Sequence, residues 1–420
     1  MIFMWFCVAF VLGLLFLALF RPVLEYKIEN TAALDPDAPE FFAQLEMLCD
    51  ARVFPHNTID VLTDGSSFYE AELEAIAGAK RSVHLEAYIF QTGEIADRFR
   101  AALTERARAG VEVKLIIDGV GSLSTPAGYF DDLKKAGGKV VFYHSVRWHT
   151  WDRYNNRTHR EIVVVDGSIG FVGGAGVADH WYKAQGKARP WRDAMFRVRG
   201  EAVAGLESVF IENWAEAAGE ILSFGTDLHM PEKAGATPAM VVGGTPSAGG
   251  STRNRVLFQI FLASAQRTIL ITNPYFLPDA SISGELLQAA QERGVEVKVI
   301  TSGKKSDQSF TRSASRRLYG ELLQGGVEIY EYEPAMSHTK TMTIDGLWSV
   351  VGTTNFDARS FGLNDEVNLV VRSEDLARRI EQDFRRDLAN SRRIGYHEWK
   401  RRPVWERAHE ALSGLLERQQ

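Results

Sequence analysis

The stretch His338-Thr-Lys340-Thr-Met-Thr-Ile-Asp345, followed by Gly352-Thr-Thr-Asn355, has a weaker copy earlier in the chain: His159-Arg-Glu161-Ile-Val-Val-Val-Asp166, then Gly173-Gly-Ala-Gly176. In both copies a glycine falls seven positions after the aspartate and β-branched or other apolar residues fill the middle. Each copy therefore reads as a strand, a turn at Asp-Gly and a second strand. Brought together, two such hairpins place two histidines in one site.

The repetition extends outward from the hairpins. The pentapeptide Gly110-Val-Glu-Val-Lys114 returns as Gly294-Val-Glu-Val-Lys298. Each copy follows a segment with helical spacing, Ile95 to Ala109 and Ile282 to Arg293. Before each helix lies an apolar strand ending near an aromatic pair, Val83-His-Leu-Glu-Ala-Tyr-Ile-Phe90 and Ile269-Leu-Ile-Thr-Asn-Pro-Tyr-Phe276. This order predicts a duplicated α/β fold, two mixed-sheet lobes with helices on both faces, packed about a pseudo-twofold with the histidine hairpins at the seam. A length of 420 residues suits two lobes that each bury a core. The expected division is an apolar anchor at 1–22, a juxtamembrane segment at 23–54, a first lobe at 55–225 and a Gly/Pro/Ala-rich linker at 226–253. A second lobe at 254–395 and an amphipathic C-terminal helix at 396–420 complete it.

On a strand, side chains at i and i+2 share a face, so His338 and Lys340 project together and Thr339 points away. An imidazole and a cation aimed at one point suit attack on a phosphodiester. One histidine forms a covalent phosphohistidine and the other protonates the leaving alkoxide. Lys340 and Asn355 would supply the charge and the hydrogen-bond donors that stabilise the transition state. That scheme calls for no metal and no cofactor, and His144, His149 and His159 match no zinc-ligand spacing.

With Arg359-Ser360, Asn364 and Glu366 behind the motif, and with Trp191-Arg-Asp193 in the first half, the chain resembles the phospholipase D superfamily. Within that superfamily it resembles the bacterial cardiolipin synthases, over nearly everything after residue 55. The resemblance implies that His159 is the nucleophile and His338 the general acid. It matches Asp193 and Glu366 to the acids that orient the histidines, each serving the histidine of the opposite half. Asp166 and Asp345 belong to the motif as well and join the expected catalytic set, although a place at hairpin turns also suits a backbone role. The first copy departs at Glu161, where lysine is expected, and at Gly176, where asparagine is expected. Exchanging a cation for an anion beside a phosphate would cost on the order of 8 kcal/mol at an effective dielectric near 20. Three remedies stay open: protonation of Glu161, substitution by Arg157 or Arg153, or conversion of the first half to a lipid-binding partner.

Residues 1–20 carry no charged side chain and are long enough to span a bilayer as a helix. Arg21 and Lys27 on the far flank favour a single-pass anchor in the cell (inner) membrane with a cytoplasmic catalytic region. Two cysteines, Cys7 and Cys49, exclude a disulfide framework. A net charge of −6 and the absence of long Lys/Arg runs weigh against a nuclease, which needs an extended basic surface. The expected partners are therefore a phosphatidylglycerol-like phospholipid and the bilayer, with no nucleic acid. Two loops with interleaved aromatic and basic residues, Arg147 to Tyr154 and Lys304 to Arg312, suit headgroup contact. The resulting expectation is a phosphatidyltransferase. A hydrolytic phospholipase or nuclease, or a catalytically dead lipid-binding scaffold, remain its alternatives.

Overall fold

The computed structural model describes residues 35–145, 155–223, 231–246 and 252–407, together with Trp5, Ala9, Phe10, Gly13, residues 26–28, His229 and Glu410. The first half supplies strands β1 (Val53–Thr63), β2 (Ser82–Ala87), β3 (Glu112–Asp118), β4 (Lys139–Tyr143), β5 (Arg157–Thr158), β6 (Ile162–Val165), β7 (Ile169–Gly173) and β8 (Ala194–Gly200). The second supplies β9 (Thr237–Gly244), β10 (Thr268–Thr272), β11 (Glu296–Ser302), β12 (Glu328–Tyr332), β13 (Thr341–Ile344), β14 (Trp348–Gly352), β15 (Asn364–Arg372) and β16 (Ser391–Arg393).

In each half three parallel strands, β2-β3-β4 or β10-β11-β12, are continued by the antiparallel histidine hairpin, β6-β7 or β13-β14. The parallel runs follow from the helices Glu94–Arg108 and Ala280–Gln291, which carry the chain back between strands. The second of these helices starts two residues before the expected Ile282, because the Asp279 side chain accepts from the backbone N–H of Ser281 and Ile282.

The halves join through β1 and β9. Val53 and Phe54 pair with Met240 and Ala239, while beyond an irregularity at Phe54–Asn57 the rest of β1 pairs with β8. From that corner β1 and β9 run outward to the ends of their half-sheets that carry Asp193 and Glu366, where Thr63 faces Ala194 and Gly244 faces Glu366. A shared core, including Phe196, Val198 and Leu206 from one half and Val351, Val367 and Leu369 from the other, holds the half-sheets together. Each such side chain contributes about 1.5–3 kcal/mol by burial.

Several expected boundaries need correction. The stretch 226–253 is not simply a linker, because Thr237–Gly244 is a strand within the sheet. Its glycines read as loop, yet a Cβ at Gly243 would lie 2.6 Å from the Val209 side chain and one at Gly244 would lie 2.2 Å from Asn254. Close packing explains both glycines. The segment 23–54 holds the helix Phe41–Cys49, whose Phe41, Leu45 and Cys49 enter the core of the second half. At the other end, the helix Tyr396–Lys400 stops at a turn. The apolar stripe beyond it is not docked at its start, since Val404 and Trp405 are exposed. Residues 411–420 lie outside the described residues. So do the loop 146–154, with Arg153 in it, and almost all of the expected anchor; no described helix is long and apolar enough to cross a membrane.

The two motif aspartates are the clearest revision. Asp166 (φ 53°) and Asp345 (φ 57°) sit at the Asp-Gly turns, roughly 23 Å of extended strand from the histidines. Asp345 accepts backbone N–H groups from Gln266, Arg267 and Thr268 at 2.9, 2.7 and 2.8 Å. Asp166 does the same for Arg81 and Ser82, at 2.7 and 2.9 Å. Both carboxylates pin the start of a neighbouring parallel strand, at the end of each hairpin away from its histidine. Asp345→Ala strands these donors and is expected to destabilise the fold by about 2–3 kcal/mol in denaturant unfolding, with kcat unchanged in the fraction that folds.

Candidate active site

Strand β5 runs parallel to the start of β15, pairing Arg157 with Asn364 and Thr158 with Asp365. The backbone N–H of His159 then donates to the Asp365 carbonyl at 2.9 Å. This docking brings His159 Nδ1 to 3.0 and 3.1 Å from the two carboxylate oxygens of Glu366. The second half repeats the arrangement in reverse. Ser337 bridges to Arg192, and the His338 N–H donates to the Arg192 carbonyl at 2.7 Å. His338 Nδ1 stands 3.0 Å from Asp193 Oδ2. Each imidazole is thus oriented by a carboxylate from the opposite half. A proton on Nδ1 facing a carboxylate leaves Nε2 to act on a substrate.

Lys340 lies on the same strand face as His338, its Nζ 3.1 Å from the ring nitrogens and donating to the His338 carbonyl at 2.9 Å. Burial pushes its ammonium down to about 8, against the pull of Asp193 and Glu366. The two carboxylates that orient the histidines thus both act on the Lys340 ammonium. His338 is held below the ordinary histidine value, first by burial and then by Lys340, with Asp193 opposing. Asn355 is buried at the end of the second hairpin, and its Oδ1 has no hydrogen-bond partner among the described residues.

Around these groups stand residues that sequence reasoning missed. Thr353 donates its hydroxyl to Glu366. Trp181 donates its indole N–H to Asp193 at 3.0 Å. The Tyr88 ring meets His159 edge-on at 5.2 Å, and the Tyr275 ring meets His338 at 6.1 Å. Thr353 lay within the quoted Gly-Thr-Thr-Asn. Trp181 has Ser360 as its counterpart in the repeat, so repetition carried no signal for it.

The two departures of the first copy touch one another. Glu161 is buried and its Oε1 accepts the backbone N–H groups of Tyr88 and Ile89 at 3.1 and 3.3 Å. Burial pushes this carboxyl well above the ordinary carboxylate range, with Glu72 nearby adding to the effect. A Cβ at position 176 would lie 2.9 Å from Glu161 Oε1 and 2.4 Å from the Ile89 carbonyl oxygen. Glycine at 176 thus leaves the space in which the Glu161 carboxyl lies. Arg160 points to the opposite face, as its strand position predicts, and donates to the Val209 carbonyl at 2.6 Å and to Glu212 at 2.7 Å. The Arg157 guanidinium lies 3.5 Å from Asp118.

A family model described as cardiolipin synthase, PLD-like domain, matches residues 73–184 and 259–388. The major cardiolipin synthase ClsA of Bacillus subtilis (strain 168) is 35% identical over 396 residues, covering 93% of this chain and 81% of that protein. The cardiolipin synthase of Geobacillus kaustophilus (strain HTA426) is 34% identical over 359 residues, covering 85% and 71%. Among solved structures, phosphatidylserine synthase of Haemophilus influenzae Rd KW20 superposes with a TM-score of 0.70 at 14% identity, over 90% of this chain and 99% of that one. That likeness concerns the fold alone. Polyphosphate kinase of Porphyromonas gingivalis shares it more distantly, with a TM-score of 0.52 at 12% identity, over 95% of this chain and 56% of that one.

Proposed function

Because this chain belongs to the phospholipase D-like family of cardiolipin synthases, we propose that it is a membrane-anchored phosphatidyltransferase working through a phosphohistidine. The observation that carries the proposal is the crossed pairing of His159 with Glu366 and of His338 with Asp193. Two imidazoles, each held by a carboxylate, with one buried lysine beside His338, suit a displacement in two steps.

The electrostatics favours an order of roles opposite to the one the resemblance implied. A nucleophile must be neutral, and burial beside the Lys340 ammonium keeps His338 neutral. His159, which is partly exposed and paired with Glu366, takes the proton-carrying role in this order. In the first step His338 Nε2 bonds to phosphorus, the bond from phosphorus to the glycerol oxygen of phosphatidylglycerol breaks, and that oxygen takes the proton of His159. In the second step the hydroxyl of another phospholipid gives its proton to His159 as its oxygen attacks phosphorus, and the P–N bond breaks. Lys340 and Asn355 stabilise the equatorial oxygens in both steps. A protonated Glu161 adds no repulsion to the phosphate, so the departures of the first copy are compatible with turnover. The anchor is assigned to residues 1–22 and the catalytic region to the cytoplasmic side of the inner membrane, on the strength of Arg21 and Lys27.

Purified protein in phosphatidylglycerol vesicles is expected to yield cardiolipin and glycerol in equal amounts. Phosphatidic acid alone would establish hydrolysis instead, and DNA cleavage without lipid turnover would establish a nuclease. Absence of any product would leave a scaffold.

A further inference from the structure

We propose that the end of the fold bearing the histidines docks directly on an anionic bilayer, through Leu123 on one side of the site and Val404–Trp405 with a basic rim on the other. This rests on the lipid-transfer reading above and names the surface through which the lipid arrives.

The topology gathers these elements. Parallel strands β2 and β3 end beside the start of β6, where His159 stands, so the loop after β3 lies at the mouth of the first half-site. In that loop Ser122 accepts the Phe90 N–H and donates to the Tyr88 carbonyl, both at 2.8 Å. The adjoining Leu123 is 74% exposed. Strands β10, β11 and β12 likewise end beside His338, and the loop after β11 carries Asp307, which accepts the Tyr275 hydroxyl at 2.7 Å.

Two and three positions before Asp307 come the exposed Lys305 and Lys304. They line a cavity of about 1360 Å³ whose other wall includes Arg401, Trp405 and the Arg402–Glu410 ion pair, with Glu333, Glu398 and Glu406 also lining it. Val404 and Trp405 are 78% and 71% exposed. A tryptophan and a valine presented beside the exposed Lys304, Lys305 and Arg401 match the lipid–water boundary, where the indole sits at headgroup level and the cations meet lipid phosphates.

The chain leaving the apolar N-terminal stretch reaches the same end. The Tyr26 N–H donates to the Ser281 hydroxyl at 2.8 Å, and the Arg255 guanidinium lies 4.6 Å over its ring. Ser281 opens the helix that follows β10, two residues beyond Leu277–Asp279, so the tether enters the fold on the side of the histidines. A segment tethered there brings the apolar rim to the bilayer without reorientation.

The test uses the full chain with Cys7→Ser, Cys49 being buried, reconstituted in phosphatidylglycerol nanodiscs. Nitroxide labels are placed one at a time at Leu123→Cys, Trp405→Cys and Lys80→Cys. Lys80 is exposed at the opposite end of the fold, where its N–H meets the Asp166 carboxylate. Collision with oxygen and with a water-soluble nickel complex is read by power saturation. The labels at 123 and 405 are expected to report immersion and the label at 80 to report water. Lys304→Glu with Lys305→Glu, or discs of zwitterionic lipid, should move the label at 405 toward the aqueous value. Aqueous values at both 123 and 405, or immersion at 80, overturn the proposal, as does a 405 label indifferent to disc charge. Cardiolipin formation is followed on the same discs, so loss of the enzymatic reading is seen separately from loss of the docking surface.

Discussion

Replacing His338 with alanine is expected to lower lipid transfer about 10⁵-fold or more, since it removes the atom to which phosphorus bonds. His159→Ala should cost about 10²- to 10⁴-fold with phosphatidylglycerol, the range for a lost general acid–base group. The two variants separate fully on a phosphatidyl ester of p-nitrophenol, whose leaving group departs without a proton. His159→Ala should then release about one equivalent of nitrophenolate per site in a burst and stall as the phosphohistidine, because no base remains to activate the second hydroxyl. His338→Ala should show no burst. A burst confined to His338→Ala would exchange the two roles, and full activity in both variants would end the two-histidine scheme.

The second large effect concerns the departure that looked most damaging in the sequence. Glu161→Lys introduces the residue typical of the motif, yet here it would set an ammonium where Glu161 now accepts two backbone N–H groups, and both donors would lose their acceptor. A buried ammonium set against two stranded donors costs about 3–5 kcal/mol, or a fall of about 3–6 °C in thermal midpoint. Gly176→Asn added to it meets the Ile89 carbonyl and makes matters worse. Glu161→Gln should behave in the opposite way. The carboxyl is raised above its unfolded value, so the folded state holds its proton where the unfolded chain has released it. Wild-type stability therefore declines as pH rises from the unfolded carboxyl value, about 4.5, toward the raised folded one. Glutamine has no such slope. Thermal midpoints of the two proteins should coincide near pH 4 and diverge in favour of the glutamine variant through pH 7. Parallel curves would mean that Glu161 is ionised in the folded protein.

The hairpins, the parallel strands and both crossover helices were legible because they rest on local periodicity and on repetition. So was the side-chain pairing at i and i+2 that puts Lys340 beside His338. The strand Thr237–Gly244 was not, because Gly243 and Gly244 are there for the closeness of Val209 and Asn254, which no local pattern reports. The position of Asp166 and Asp345, away from the histidines, was hidden for a related reason. The motif fixes their offset from the histidines but not the direction of the strand between, and that strand carries them to the far edge. Trp181 and Tyr88 entered the site only through tertiary packing, and the proton state of Glu161 depends on burial that a sequence does not display.

The crossed carboxylates bear on how such a duplicated gene can drift. Asp193 lies in the half with the weaker motif, yet it serves the histidine of the intact one, and Glu366 returns the service. The altered positions, Glu161 and Gly176, face each other within a single half. Under the two-histidine scheme neither copy can be silenced alone, and change is tolerable only where a side chain owes nothing to its twin.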